Sequence, residues 1–274
     1  MTDDLLWRHL KELPAFRGLL RAVEARFYVE RTRLPLPKPI LDVGCGDGHF
    51  ASVTFSDPLD AGLDPWWGPL TEARARRAYR TLAQADGAHM PYADDHFASA
   101  ISNSVLEHIP AVEAVLAETA RVLRPGAPFY FCVPGDHFLP FLSIGRALDA
   151  LRLRPVADAY RRFFNRISRH YHCDDAETWR ARLERAGLVL DRRWPYFSRG
   201  ALTALEWGHY LGLPALVAKK LTGRWILSPS KANLWLTNRL LRHYYEEPLP
   251  EKGAYLFFVA RKPTKGELDN QPTG

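Results

Sequence analysis

Asp42, Gly44, Gly46, Gly48 and Asp64 are the residues of this chain whose types and spacing could do chemistry, and that chemistry is the holding of a nucleoside. Three glycines at alternate positions of Ile40-Leu41-Asp42-Val43-Gly44-Cys45-Gly46-Asp47-Gly48-His49-Phe50 let the backbone take φ > 0 and come close to a ligand. The apolar run before them is short and follows Pro37 and Pro39, so it reads as a buried strand of an open α/β sheet with its crevice at the carboxyl end. A second short run, Ala61-Gly62-Leu63-Asp64, ends in a carboxylate before Pro65, and its two oxygens can accept both hydroxyls of a ribose. A dinucleotide site asks for Gly-x-Gly-x-x-Gly with a helix N-terminus facing a pyrophosphate. The alternating glycines here, with Asp42 in front of them, make a poor diphosphate cradle.

Further segments follow in a set order. Thr81 to Ala85 leads to Asp86-Gly87-Ala88, and Met90-Pro91-Tyr92-Ala93-Asp94-Asp95-His96-Phe97 leads into a fourth strand, Ala98 to Asn103. Ser104-Val105-Leu106-Glu107-His108-Ile109 and Arg121-Val122-Leu123-Arg124-Pro125-Gly126 come next. In this order and at these intervals the chain resembles the class I S-adenosylmethionine-dependent methyltransferases, closest to the small-molecule group called methyltransferase type 11. The resemblance runs from Lys38 to Val133 and resumes more loosely from His170 to Trp194 and from Ala254 to Lys262.

The resemblance implies an α/β fold, a Rossmann-like seven-stranded and mostly parallel sheet flanked by helices, with S-adenosylmethionine as cofactor. By it, Asp42 and the backbone from Gly44 through Cys45 and Gly46 to Gly48 would hold the methionine part, and Asp64, with Pro65 beside it, the ribose hydroxyls. Asp86 would take the adenine amino group, and Gly87 or Ala88 would offer a backbone N–H to the ring. Carbonyls near Asn103 and Ser104 would accept from the methionine ammonium, with Val105 and His108 beside the sulfonium. Cys45 is given no chemistry of its own.

Those residues need elements to position them. Leu5, Leu6, Trp7 and Leu10, then Phe16, Leu19, Leu20, Val23 and Phe27 after Pro14, recur at helical spacing and predict two amphipathic helices within residues 1–34, which the resemblance makes a lid. A helix from Pro110 to Pro125-Gly126 and a strand from Ala127 to Val133 continue a β/α alternation that predicts parallel strands with right-handed crossovers. A further helix is expected from Asp174, with Asp174-x-x-Glu177 as a capping box and Gly187 as its stop. Late strands are expected over Leu188 to Arg193 and Ala254 to Arg261, an antiparallel pair in the family. The domain spans 35–263, broken by helical insertions at about 134–170 and 199–250, with a disordered tail over 264–274.

Composition bounds the function classes. At 47% hydrophobic and 25% charged residues the chain is globular. The first residues, Met1-Thr2-Asp3-Asp4, lack the basic and apolar regions of a secretory signal, and the three cysteines, Cys45, Cys132 and Cys173, match no disulfide framework or zinc spacing. A cytoplasmic protein is expected. The net charge of +6 resides in the insertions: seven arginines face two aspartates from Arg146 to Arg169, and seven Lys or Arg face Glu206 alone from Arg199 to Tyr245. The remainder of the chain is net negative.

The nearly uncharged stretch from Gly200 to Ala218, followed by Lys219, Lys220, Arg224, Trp225, Trp235, Tyr244 and Tyr245, suits two roles. It can contact an anionic membrane peripherally, or cap the active site with its cations snorkelling outward. The expected activity is methylation of a small, hydrophobic or lipid-linked acceptor, with no metal and no obligate protein partner. Candidates for a general base are His108, His137, His170, Tyr171 and His172. Alternatives from other classes are a non-catalytic nucleoside-binding or membrane-recruited protein on the same fold, and a nucleic-acid methyltransferase. Against nucleic acid stands Asn103-Ser104-Val105 at the end of the fourth strand, where DNA amino-methylating enzymes carry an Asn-Pro-Pro-Tyr type of motif.

Overall fold

A computed structural model describes residues 4–31, 35–264, 266 and 267. The chain divides into two compact units. One is formed by residues 35–135, 170–194 and 256–274, the other by 1–34, 136–169 and 195–255.

The first unit is built on a sheet whose strands are β1 (Ile40–Val43), β2 (Leu59–Asp64), β3 (Tyr79–Gln84), β4 (Ser99–Asn103), β5 (Pro128–Pro134), β6 (Val189–Tyr196) and β7 (Tyr255–Arg261). Their order is β3-β2-β1-β4-β5-β7-β6. Strands β1 to β5 pair in parallel, Leu41 opposite Ala61 on one side and Ala100 on the other. The order reverses between β1 and β4, and in open α/β sheets a ligand crevice lies outside the carboxyl ends of the strands at such a reversal. The Rossmann-like fold expected from the sequence is the one observed.

Both faces of β1 and β4 are buried, which is why these strands read as compact runs of apolar or small residues, interrupted in β1 only by Asp42. Helices α3 (His49–Thr54), α4 (Trp67–Arg76), α5 (Val112–Val122) and α9 (Ala176–Arg185) belong to this unit. Phe131 of β5 stacks on Phe258 of β7 with ring centroids 4.8 Å apart, and the fully buried Trp179 of α9 lies 5.5 Å from Phe131.

The structure moves some boundaries. Strand β3 begins at Tyr79, two residues before Thr81, and β6 runs on to Tyr196. The cap of α9 is Asp175, whose Oδ1 accepts from the Thr178 amide at 2.8 Å, and not Asp174. Asp174 accepts instead from Arg182 Nη1 at 2.6 Å. An aspartate pair before a helix offers two candidate caps, and the backbone decides between them by which one is extended.

The second unit is helical: α1 (Leu5–Leu10), α2 (Ala15–Arg26), α6 (Phe138–Phe141), α7 (Ser143–Ala150), α8 (Arg154–Ser168), α10 (Arg199–Leu211), α11 (Leu213–Thr222) and α12 (Lys231–Glu246). Its polar centre is Glu206, fully buried, whose carboxylate accepts from the amides of Ser143 at 2.5 Å and Ile144 at 3.2 Å and from the Tyr160 hydroxyl at 2.5 Å. A second buried pair is Tyr196 donating to Glu24 Oε1 at 3.0 Å. In the tail, Glu267 accepts from Arg261 and Thr264, and residues 265 and 268–274 lie outside the described residues. So do 1–3 and 32–34 of the expected lid.

Candidate nucleoside site

Where β1 ends, the chain turns through Gly44, Gly46 and Gly48, all at positive φ. Gly44 sits against Val105, so a Cβ at φ +79 would overlap the Val105 side chain. Gly46, at φ +53, is different: a Cβ there would meet nothing within 4 Å. The turn is bound to the neighbouring strand by amides of Gly44 and Cys45 donating to the Leu63 carbonyl at 2.8 and 2.9 Å.

Asp64, at the carboxyl end of β2, closes this corner. Its Oδ2 accepts from the Gly46 amide at 3.0 Å and its Oδ1 from the Trp66 amide at 2.9 Å. A carboxylate has about four lone-pair sites, so two backbone bonds leave it able to accept two hydroxyls. Burial pushes its pKa up, and the bonds from Trp66 and Gly46 pull it back. The open space over Gly46 beside a buried acceptor fits the expected adenosyl group.

Other expected residues are placed as follows. Asp42 is buried, and its Oδ2 accepts from the Tyr79 hydroxyl at 2.6 Å. Asp86 is exposed and its Oδ1 accepts from the Ala88 amide at 2.9 Å, so of the two amides expected to meet the ring, that of Ala88 is held by Asp86 itself. The Pro65 carbonyl accepts from Gln84 at 3.2 Å. Asn103 and Ser104 end β4, where Cys132 Sγ donates to Asn103 Oδ1 at 3.1 Å and Ser104 takes a positive φ of 51°. The Cys45 thiol is buried, and burial followed by the fields of Asp42 and Asp64 pushes its pKa up, which keeps it protonated and unreactive.

Four of the five base candidates lie in this unit, and the structure separates their roles. His172 Nε2 meets the Ile109 carbonyl at 2.9 Å and its Nδ1 lies 3.2 Å from Arg182, a structural tie. His108 and His170 come together with ring centroids 5.3 Å apart. Glu107, fully buried beneath them, brings Oε1 to 3.8 Å from His108 Nε2. The ligand-type atoms of Glu107, His108 and His170 all lie within 4.8 Å of one another, the one such group among the described residues. His137 lies in the helical unit, with Nδ1 2.9 Å from Asp136.

Sequence reasoning missed Glu107 and Tyr79. Glu107 stands in a quoted motif, but nothing in the motif says that its carboxylate is buried. Tyr79 precedes the expected start of its strand, 37 residues from its partner.

Comparison with known proteins agrees with this geometry. A family profile described as a methyltransferase domain matches residues 41–131. Similar curated proteins include a ubiquinone biosynthesis O-methyltransferase of Hahella chejuensis, 32% identical over 47% of this chain and 57% of that protein. A fatty-acid O-methyltransferase of Mycolicibacterium smegmatis is 36% identical over 34% of this chain and 36% of its own length. The chain spans roughly a third to just over half of the length of the curated relatives it matches. Among solved structures, a possible histamine N-methyltransferase of Thermotoga maritima aligns over 90% of this chain and 91% of its own, at 15% identity and a TM-score of 0.53, a likeness of fold. The glycine turn, the Asp64 corner and the reversed strand order lie in the unit that holds residues 41–131, and that segment carries a methyltransferase domain of the methyltransferase type 11 kind.

Proposed function

We propose that this protein transfers the methyl group of S-adenosylmethionine to a small, hydrophobic or lipid-linked acceptor. The observation that carries the reading is the Asp64 carboxylate bonded to Gly46 at the lip of open space, a pairing that presents an acceptor for a ribose diol next to a backbone with no side chain in the way. The cofactor supplies an electrophilic methyl on a sulfonium. What the protein adds is binding, alignment and exclusion of water, which can account for most of the acceleration of an in-line displacement.

In this reading Asp64 holds the ribose, Gly44 to Gly48 carry the methionine part, and Gly87 gives the ring its backbone contact. His108, exposed and backed by Glu107 and His170, is the side chain that accepts the acceptor's proton. Support for a hydrophobic acceptor is compositional: among the described residues all the exposed large apolar side chains except Trp66, Trp67 and Tyr171 fall in the helical unit, the part of the chain that the shared domain does not supply. An acceptor of that kind also gives the protein a reason to meet an anionic membrane peripherally. Two similar proteins named for fatty-acid and ubiquinone-biosynthesis methylation agree with this acceptor class.

Calorimetry tests the cofactor half. S-adenosylmethionine and its demethylated product should bind, and Asp64→Asn should weaken both by about tenfold or more, the cost of a lost charge-assisted bond. Tight binding of NAD with no response to the sulfonium compound would defeat the reading. Incubating lipid and metabolite extracts with isotopically labelled cofactor tests the acceptor half: label confined to polar, water-soluble products would rule out the hydrophobic class.

A further inference from the structure

Helix α11 is amphipathic the wrong way round for a helix of a globular protein. Leu213, Leu216, Val217 and Leu221 recur at i, i+3, i+4 and i+8 and therefore share one face. That face should be buried. Instead, these residues are 60%, 41%, 56% and 80% exposed, while the opposite side, Ala215, Ala218 and Lys219, is the half-buried one. No residue of α11 is fully buried. A ten-residue helix is marginal in water unless packing of its apolar face sustains it, so this face calls for a cover.

The charge around it says what that cover is. Residues 207–245 contain no aspartate or glutamate and hold Lys219, Lys220, Arg224, Lys231, Arg239 and Arg242. Arg242 pairs with Asp4 at 2.6 Å, and Lys220, Arg224, Lys231 and Arg239 are solvent-exposed. Lys220 lies within the arc of the apolar face, where its stem can run along the leucines and its ammonium reach outward. Trp235, 58% exposed on α12, has Arg239 over its ring at 5.4 Å, an aromatic and a cation side by side. Among the described residues no helix is long and apolar enough to cross a membrane.

We infer that α11 is an in-plane membrane anchor, its Leu213, Leu216, Val217 and Leu221 face entering the acyl boundary of an anionic lipid surface while Lys220 and Arg224 meet the headgroups. A protein partner would have to be both apolar and acidic over the same small face. An anionic bilayer offers those two properties at one depth of a few ångströms. The inference does not depend on methyl transfer and can hold or fail without it.

Flotation of the full chain with phosphatidylcholine vesicles, with and without phosphatidylglycerol, tests the anchor. Binding is expected only to the anionic vesicles and should weaken with salt. Replacing Lys220 and Arg224 by glutamine should lower the affinity about thirtyfold, from the usual contribution of about 1 kcal/mol for each cation near such a surface. Val217→Glu with Leu221→Glu should abolish binding, with the melting temperature recorded for each variant to show that the fold survives. Failure to bind the anionic vesicles overturns the inference, as does equal binding to the neutral ones. So does a concentration-dependent dimer dispersed by the Val217→Glu and Leu221→Glu pair without vesicle binding, which would make a second copy the cover.

Discussion

Asp64 fixes the glycine turn through Gly46, and in the proposed reading the same carboxylate accepts a diol. The two functions oppose each other electrostatically, because burial raises its pKa while the ligand needs the ionised form. A carboxyl raised in the folded protein favours folding most below the unfolded value, 3.8, and that contribution is lost as pH rises through the folded value. Cofactor affinity runs the other way. It should fall as pH drops toward the raised value, at a higher pH than an ordinary aspartate would give, and a pH series of calorimetric titrations on the protein and on Asp64→Asn should show the step in the first and none in the second. The two glycines of the turn divide the same way. Gly44→Ala should cost about 2 kcal/mol or more of stability, since a left-handed alanine also overlaps Val105. Gly46→Ala should cost only the backbone strain, about 1–2 kcal/mol, yet block nucleoside binding because its methyl takes the open space. Urea unfolding beside calorimetry separates the two. At this scale the site was legible where backbone need forced the residue type, as at the glycines, and where a carboxylate ended a strand. It was not legible where a long-range pair decided the matter, as with Tyr79 on Asp42 or Glu107 under His108 and His170.

Elements are held in place by side chains that end or clamp them. Arg121, near the end of α5, binds the segment before β4: its guanidinium donates to the carbonyls of Met90 and Tyr92 and to Asp94, while Glu118 takes the Met90 amide at 2.8 Å and pairs with Arg121 at 2.7 Å. The bond from Arg121, then that from the Met90 amide, holds the Glu118 carboxyl below its usual value. The stability this contributes is complete above the unfolded glutamate value of 4.5 and is lost as pH falls through the folded one. Glu118→Gln should therefore lower the urea midpoint at pH 7, by an amount that shrinks as pH falls below 4.5. At the other end of the sheet, Asp175→Ala should cost about 1 kcal/mol as a lost N-cap, with Asp174→Ala measured beside it as the loss of an ion pair to Arg182. The β/α alternation was readable because β1, β4 and β5 are buried on both faces and carry compact apolar or small-residue runs between turn signals. The edge strand β3 was displaced in the reading because exposure lets a polar residue such as Arg80 enter it. The cap of α9 moved by one residue because sequence shows two aspartates and not the φ and ψ that choose between them.

For the molecule as a whole, the two units are interleaved along the chain, which passes between them at residues 34, 135, 169, 194 and 255. Neither is a contiguous segment: a cut at residue 135, 169 or 194 divides both, and one at 34 or 255 divides one of them. The last strand shows the consequence most clearly. β7 lies between β5 and β6 and is buried over six of its seven residues, with Phe257 and Phe258 fully inside. A chain ending at residue 254 would leave β5 and β6 without the neighbour that joins them and would expose Phe131 and Trp179, whose rings pack on Phe258. Losing Tyr255, Phe257 and Phe258, each worth about 3–5 kcal/mol, is comparable to the whole of the roughly 5–15 kcal/mol by which a domain is stable, before the lost strand pairing is counted. Helix α11 is the opposite case, since none of its residues is fully buried. Replacing residues 213–222 by a flexible Gly/Ser segment of the same length should leave the melting transition within a few degrees of the parent, whereas the chain ending at 254 should show no cooperative transition by circular dichroism. If the α11 replacement also removed the transition, the helix would be a structural part of its unit, and its outward leucines would be working in the fold and not at a surface.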